Sequence, residues 1–572
     1  MRIASSVRHN RLLLFVILIL FLAASMLFGG SHDPHTYAAD NHTSYRTQKS
    51  TISKAAMIDP TKLVAHNVQH AFTHQKSIPA FANHASIANT QIPVASNLPL
   101  DNTAGHLLRN FPGLTSADNT SVNGYPSEPP DQGLCINSSS VMESINQSLA
   151  FYQRNGTSVS GPIAMNAFFG ETPGLSGEIT FDPRCYFDAQ THAWFATVTA
   201  IDPDFQHSHL DIAVNPTSNP LNSWTIYRID TTEPADSGCP CYADFPVFGI
   251  DQFNIYLSPN EGTFSGPPGN GGEIFAISKS DLVSLASSVH QVRFSSLHLA
   301  GILAETISPA YTDSIPVSEA DAAQPHAEYF VNSFFRTASD HRLGIWAMAN
   351  QQAVASGGTP QLSSIVIDSE AYAHPPLVPT PNGYVLTTND ARIMQVQFIN
   401  GELWVSLETA LRVPGSSSTT AGPAWFEIRP QLSSDGSGLK IDSASIVHQG
   451  YISTTRNYLL TPTIEVSPAG TTVMVMTLSG SDTFPSIVYT VRSNAEAQFG
   501  PVHIAAAGVE NIEDFGCTPA GGGVCSWGDY TAAVLDASNG GATIWMAGEY
   551  ISGPTVSQEN WGTRIMEISA ED

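Results

Sequence analysis

From about residue 130 to the C-terminus, apolar residues come in short runs such as WFATVTA, ELWVSLE, TTVMVMTL and IVYTVR. Each run is rich in β-branched and aromatic residues and bounded by Gly, Pro, Asn, Asp or Ser, the punctuation of strands joined by turns. No segment sustains a helical period beyond about two turns, KSDLVSLASSV at 279–289 being the nearest. A chain of short strands can bury them only as a sandwich, a barrel or a propeller. A weak repeat chooses among these. CYADFPVFGIDQFNIYLSPNEG and CSWGDYTAAVLDASNGGATIWMAGEY both set an Asp before an aromatic residue and a second Asp downstream: Asp244-Phe245 with Asp251, and Asp529-Tyr530 with Asp536. Asp182 with Asp188, Asn457-Tyr458 with Glu465, and the surroundings of Asp131 supply further copies, with looser ones near His326–Tyr329 and Asp390. The anchors fall roughly 50 to 80 residues apart, and each unit reads as about four strands, for example CYFD, WFATVTA, LDIAVNP and WTIYRID. The expected fold is all-β, a single β-propeller over 126–572 with seven blades, six being the alternative, closed by pairing C-terminal strands with the first blade.

The N-terminal part reads differently. Arg2, Arg8 and Arg11 precede the uncharged run LLLFVILILFLAASMLF, so residues 1–30 form a signal peptide or an N-terminal membrane anchor. Either places the remainder outside the cell, secreted or held at the outer surface. Residues 31–125, rich in His, Ser, Thr, Asn and Ala, read as a disordered stalk or pro-segment, with KAAMIDPTKLVAHNVQHAF its one helical stretch. The histidines there (His32, His35, His42, His66, His70, His74 and His84) fit a polar tail or a metal buffer.

Charge and cysteines bound the partners. The net charge is −27, and Lys279 and Lys440 are the only lysines after Lys76. Without a basic stripe to exchange for counterions, nucleic acid is excluded as a partner. The six cysteines lie in a chain bound for an oxidising compartment, where disulfides persist. Cys517 and Cys525 flank the flexible TPAGGGV and pair readily; Cys135 with Cys185 is a second pairing. Cys239-Pro-Cys241 is a local bridge, two separate bridges or half of a soft-metal site.

The elements FDPRCYFDAQTHAW, HLDIAVNPTSNPLNSW, CYADFPVFGIDQFNIYLS, WFEIR, TFPSIVYTVR, WGDYTAAVLD and WGTRI, in that order, resemble secreted bacterial β-propeller proteins of the sialidase-like (Asp-box) superfamily. The resemblance covers about 130–570. Thr217-Ser-Asn219-Pro220-Leu-Asn222-Ser-Trp224 matches that family's turn box with Asn in the glycine place, and Ser538 to Trp545 has its length with Gly540 where the Asp belongs. Such boxes punctuate the fold and carry no activity. The resemblance implies sialidase chemistry only if an arginine triad, an Asp acid and a Tyr–Glu pair can be assigned, and the sequence offers no Arg-Ile-Pro-like start for the triad.

No Gly-x-Ser-x-Gly elbow, zinc-binding His-Glu-x-x-His or phosphate loop is present, and GPPGNGG at 266–272 reads as a turn. The repeated Asp is the remaining candidate. In a propeller the loops entering the innermost strands open on one face of the channel, so Asp131, Asp182, Asp244 and Asp529 converge there. They fix turns by accepting backbone N–H bonds, or they raise one another's pKa, or they gather calcium. Trp527, Tyr530, Trp545 and Tyr550 either pack blade against blade or form a sugar-stacking platform. The ligand-binding candidates are Asp182, Arg184, Asp244, Trp527, Asp529 and Tyr530. The expected role is non-catalytic binding of an extracellular glycan or protein on one face. The alternatives are a glycoside hydrolase or polysaccharide lyase using channel-mouth carboxylates, and a structural surface protein.

Overall fold

In the computed structural model the described residues are 43–63 and 92–571, apart from 102, 104, 173–176, 235, 237, 266–268, 313–325, 416–417, 435, 437, 514–516, 518–522 and 557–558. The hydrophobic N-terminal run and the seven histidines named above lie outside them, as does the part of the expected helical stretch beyond Leu63; the first residues of that stretch, 54–58, are strand rather than helix. Among the described residues no helix is long and apolar enough to cross a membrane.

Two N-terminal strands, β1 (Ser44–Ile58) and β2 (Leu107–Thr115), lead into the short helix α1 (Ser116–Asn123). Thr115 and Asp118 form a capping box on α1, and Gly124, at φ 77°, ends it in the left-handed conformation that glycine adopts without strain. The strands that follow fall into seven consecutive antiparallel groups, here called blades I to VII. Their first strands are β3 (Gly133–Ile136), β4 (Ile179–Asp188), β5 (Cys241–Ile250), β6 (Ser308–Tyr311), β7 (Ile393–Ile399), β8 (Tyr458–Val466) and β9 (Ala532–Leu535). Each of these touches the next, and β9 returns to β3, so the inner strands form a closed ring: a β-propeller.

The core lies between blades. One apolar cluster joins Cys135, Met142 and Phe151 of blade I to Trp194, Trp224 and Ile226 of blade II. Another joins Phe111 and Trp545 of blade VII to Val141 and Ile145 of blade I. Equivalent clusters fill the other five seams. The turn box of blade II behaves as punctuation: Asn219 Oδ1 accepts from Leu221 N–H at 3.1 Å, and the buried Trp224 donates from Nε1 to Pro220 O at 2.8 Å. The second Asp of each repeat does the same work. Asp188, Asp251 and Asp536 accept backbone N–H bonds two residues on, in the turn after each inner strand.

Much of the segment expected to be a disordered stalk is part of the fold. β1 pairs with Ser288–Leu299 of blade III over its first half and with Trp224–Asp230 of blade II over its second. Ser96–Asn97 lies parallel to Ile452–Ser453 of blade V, and Leu100–Asp101 parallel to Val502–His503 of blade VI. β2 then forms the outer strand of blade VII, antiparallel to β10 (Glu559–Ser569). The expected closure, C-terminal strands pairing with the first blade, is thus replaced by an N-terminal strand completing the last one. These segments look polar because they are edge strands; β1 exposes most of its residues.

Glu143 holds the closing seam. Buried in blade I, it accepts from Leu114 N–H of β2 at 2.8 Å, from Tyr152 OH at 3.2 Å, and from the Thr563 hydroxyl of β10. Burial pushes its carboxyl up to about 7, against the hydrogen bonds that favour ionisation. The folded state then holds more protons than the unfolded chain between about pH 4.5 and 7, so this group's contribution to stability falls as pH rises through that window. Glu143→Gln should flatten the pH slope of unfolding there by about one proton, and Glu143→Ala should lower stability by about 2–4 kcal/mol in denaturant titrations.

Candidate active site at the mouth of the channel

The inner strands share a local device. Asp182, Phe245 and Thr461 have φ of 55°, 51° and 49°, and each precedes a proline, Pro183, Pro246 and Pro462. Strand register slips at each of these points, so the inner strand bulges where it meets the channel. Asp131 and Thr306 take the same left-handed conformation just before β3 and β6, at φ 45°. Backbone strain of this kind, about 1–3 kcal/mol per residue, persists only where the surroundings enforce it.

These bends bring the repeated Asp residues together, as the repeat predicts. Asp131, Asp182 and Asp529 each place a carboxylate oxygen within 4.8 Å of the others. Asp131 and Asp182 do accept backbone N–H bonds, but from neighbouring blades. Asp529 N–H donates to Asp131 Oδ1 at 2.6 Å, and Phe245 N–H donates to Asp182 Oδ2 at 3.0 Å. Asn146 ties the pair, donating from Nδ2 to Asp131 Oδ2 at 2.6 Å and accepting from Asp182 N–H at 2.8 Å. Asp244 lies on the side of Arg392, whose charge acts on it. Arg392 itself grips Asp390 in a two-pronged pair at 2.8 and 2.9 Å.

The aromatics of the Asp-aromatic pairs turn into the channel. Tyr530 and Phe245 meet edge to face at 5.7 Å, both buried. The Arg184 guanidinium lies over Tyr530 at 3.3 Å from the ring centre, and that of Arg392 over Phe245 at 4.6 Å. Tyr530 OH donates to Pro183 O at 3.2 Å. The result is a plug of two rings between two cations. Trp527 is placed elsewhere, buried beside the Cys517–Cys525 bridge and donating from Nε1 to Thr477 Oγ1 at 3.1 Å. Trp545 and Tyr550 are buried too, so these residues pack the fold and present no sugar-stacking platform. Cysteines 135 and 185, 239 and 241, and 517 and 525 form disulfides; the local bridge thus replaces the soft-metal reading of Cys239-Pro-Cys241.

Crowding separates the carboxyl groups. Burial, and then the charge of Asp131, push Asp529 up to about 8. Burial raises Asp131 to about 6 against its hydrogen bonds, and raises Asp182 and Asp244 as well. Asp390 goes the other way: burial opposes its ionisation, but the charge and hydrogen bonds of Arg392 win and hold it below the usual value. At neutral pH, Asp529 is therefore an acid beside an ionised Asp390. Three carboxyls within 4.8 Å must share protons or hold a cation; calcium would need further oxygens, since it takes about 6–8.

Sequence reasoning did not find Asn146, and found Asp390 only as a loose repeat. Asn146 sits in an ordinary hairpin turn and gives no signal. Asp390-Ala-Arg392 does give one, a carboxylate and a guanidinium two residues apart at a strand start, and so does the proline inside three inner strands.

No family model and no curated protein matches the chain. Among solved structures it resembles an α-L-arabinanase of Penicillium chrysogenum complexed with arabinobiose (9% identity, 84% of this chain and 98% of that one, TM-score 0.31). It also resembles an α-L-arabinofuranosidase of Fusarium graminearum (8% identity, 83% and 97%, TM-score 0.28). A third is a polysaccharide lyase, an ulvan lyase bound to a glucuronate–rhamnose sulfate unit (10% identity, 82% and 96%, TM-score 0.31). The sialidase-like family that the sequence resembles is thus not shown. The expectation of a non-catalytic binder is corrected at the site itself: Asp529 is raised to about 8 while Asp390 is held below its usual value, a division of protons that binding alone does not require. Asp131→Asn, which removes the neighbouring charge acting on Asp529, should lower the Asp529 pKa by about one unit in carboxyl NMR titrations.

Proposed function

We propose that the chain is an exported glycan-cleaving enzyme, a glycoside hydrolase whose chemistry lies at the mouth of the propeller channel. The observation that supports this reading is the opposite displacement of Asp529 and Asp390. Hydrolysis of a glycosidic bond needs a carboxylic acid to protonate the leaving oxygen and a carboxylate to meet the positive charge developing at the sugar. Asp529 takes the first role and Asp390, kept ionised by Arg392, the second. The glycan lies across the mouth, because the Phe245–Tyr530 plug closes the way inward. Elimination fits less well. It needs a general base, and burial holds the nearby Tyr242, Tyr311 and Tyr530 in the protonated form, while the ionised Asp390 is a weak base because Arg392 holds its pKa below the usual value. Three disulfides suit an extracellular enzyme.

A panel of plant, algal and bacterial polysaccharides, scored for new reducing ends and for unsaturated products, tests the proposal. With a cleaved substrate in hand, Asp529→Asn should lower kcat by about 10²–10⁴-fold while the unfolding midpoint is kept. The wild-type rate should fall as pH rises through about 8, where the acid loses its proton. Unsaturated ends would replace hydrolysis by elimination, and an unchanged rate in Asp529→Asn would remove Asp529 as the acid.

A further inference from the structure

Below the plug the channel narrows to a cavity of about 20 Å³, room for one or two water-sized occupants and far too small for a sugar. Its lining includes Arg184, Gln132, Gln395, Gln397, Glu465 and Tyr311. Arg184 is 9% exposed, and its Nε and Nη2 are buried without a hydrogen-bond partner. Among the described residues no carboxylate oxygen lies within the 4.0 Å that defines an ion pair with it.

A guanidinium cannot shed its proton to escape this situation. A buried charge needs a counter-charge and hydrogen-bond partners. The carboxyls nearest to hand feel its charge but give its N–H groups no hydrogen bond: Asp131 accepts from Asp529 N–H and Asn146, and Asp182 from Phe245 N–H. The Tyr530 face covers one side of the guanidinium plane but offers nothing to its in-plane N–H groups. Gln132, 1% exposed, also has a buried Nε2 without a partner. The other amides are occupied: Gln397 Nε2 donates to Glu465 Oε2 at 2.7 Å, and Gln395 Nε2 to Ala533 O at 3.1 Å. Burial pushes the Glu465 carboxyl well above the usual carboxylate range and so disfavours a negative charge in the cavity.

We propose that this cavity is a site for one small monovalent anion, chloride in an extracellular setting, bound by Arg184 Nε and Nη2 with help from Gln132 Nε2. The size of the cavity sets the limit, since a carboxylate on a sugar does not reach it. The site is separate from the cleavage chemistry and stands whether or not the chain hydrolyses glycans. It also has a consequence above the plug. The charge of Arg184 lowers the pKa of both Asp131 and Asp182, so an anion that offsets it makes the acid ring hold its protons more tightly.

The test uses the folded wild-type chain. In thermal unfolding at fixed ionic strength, replacing gluconate by chloride should raise Tm by about 1–2 °C for each tenfold increase above the dissociation constant. Crystals grown in bromide should show an anomalous peak within hydrogen-bond reach of Arg184 Nε or Nη2. Arg184→Met should abolish the chloride dependence, and Gln132→Leu should weaken it with the charge retained. Equal Tm in the two salts, or bromide peaks only elsewhere with water beside Arg184, overturns the proposal. Should Arg184→Met fail to fold, the wild-type measurements and Gln132→Leu still decide.

Discussion

The propeller depends on one union: β2 against β10, two strands whose contacting residues, Leu114 and Thr563, are 449 positions apart. A ring of blades has no free edge only when the last blade is complete, and the C-terminal part of the chain supplies three of its four strands. The N-terminal segment supplies the fourth. It also lays the long β1 along the outer edges of blades II and III and short strands along those of V and VI, so groups that would otherwise template aggregation are paired. Because that union joins distant parts of the chain it carries a loop-closure cost, which Glu143 helps to offset by bonding β2, β10 and blade I at once.

The same closure creates the crowded mouth. Seven inner strands converging on a narrow channel bring their entry loops into contact, and polar side chains in those loops lose water together. Bulges at Asp182-Pro183, Phe245-Pro246 and Thr461-Pro462 then decide what faces inward. Where an aromatic follows the Asp, the ring enters the channel and the carboxyl stays at the rim. The rim fills with acids that cannot all ionise, while Arg184 and Arg392 are drawn over the plug's rings. Asp390 escapes protonation chiefly because Arg392, two residues on, binds both its oxygens, with the charge of Arg336 adding to the effect.

What was legible from sequence was local. Strand runs, turn boxes, two of the three disulfide pairings and the repeated Asp all depend on residues near one another in the chain, and each reads from spacing. Blade IV was mislocated because its inner strand, Ser308–Tyr311, is four residues long and lacks the Asp-aromatic pair; the anchor near His326–Tyr329 belongs to its second strand, Glu328–Ser333. The belt formed by β1, β2 and the short strands between them was invisible for a different reason. An edge strand borrows its hydrogen bonds from a distant partner and leaves most side chains in water, so its composition is that of a disordered tail. The charge states at the mouth were illegible because they follow from burial and from neighbours on other blades.

At Asp529 the repeat bears directly on the protonation that the proposed acid role requires. A lone buried carboxyl acquires a high pKa from an apolar pocket. Here the pocket is polar, and once burial has acted the remaining lift comes from other copies of the same residue, Asp131 foremost. Protons on such a cluster belong to the group before they belong to any member. Repetition therefore suits the acid role proposed for Asp529. It supplies the like charges that keep one carboxyl protonated near neutral pH, while the one carboxyl with its own arginine, Asp390, remains free to carry the opposite charge.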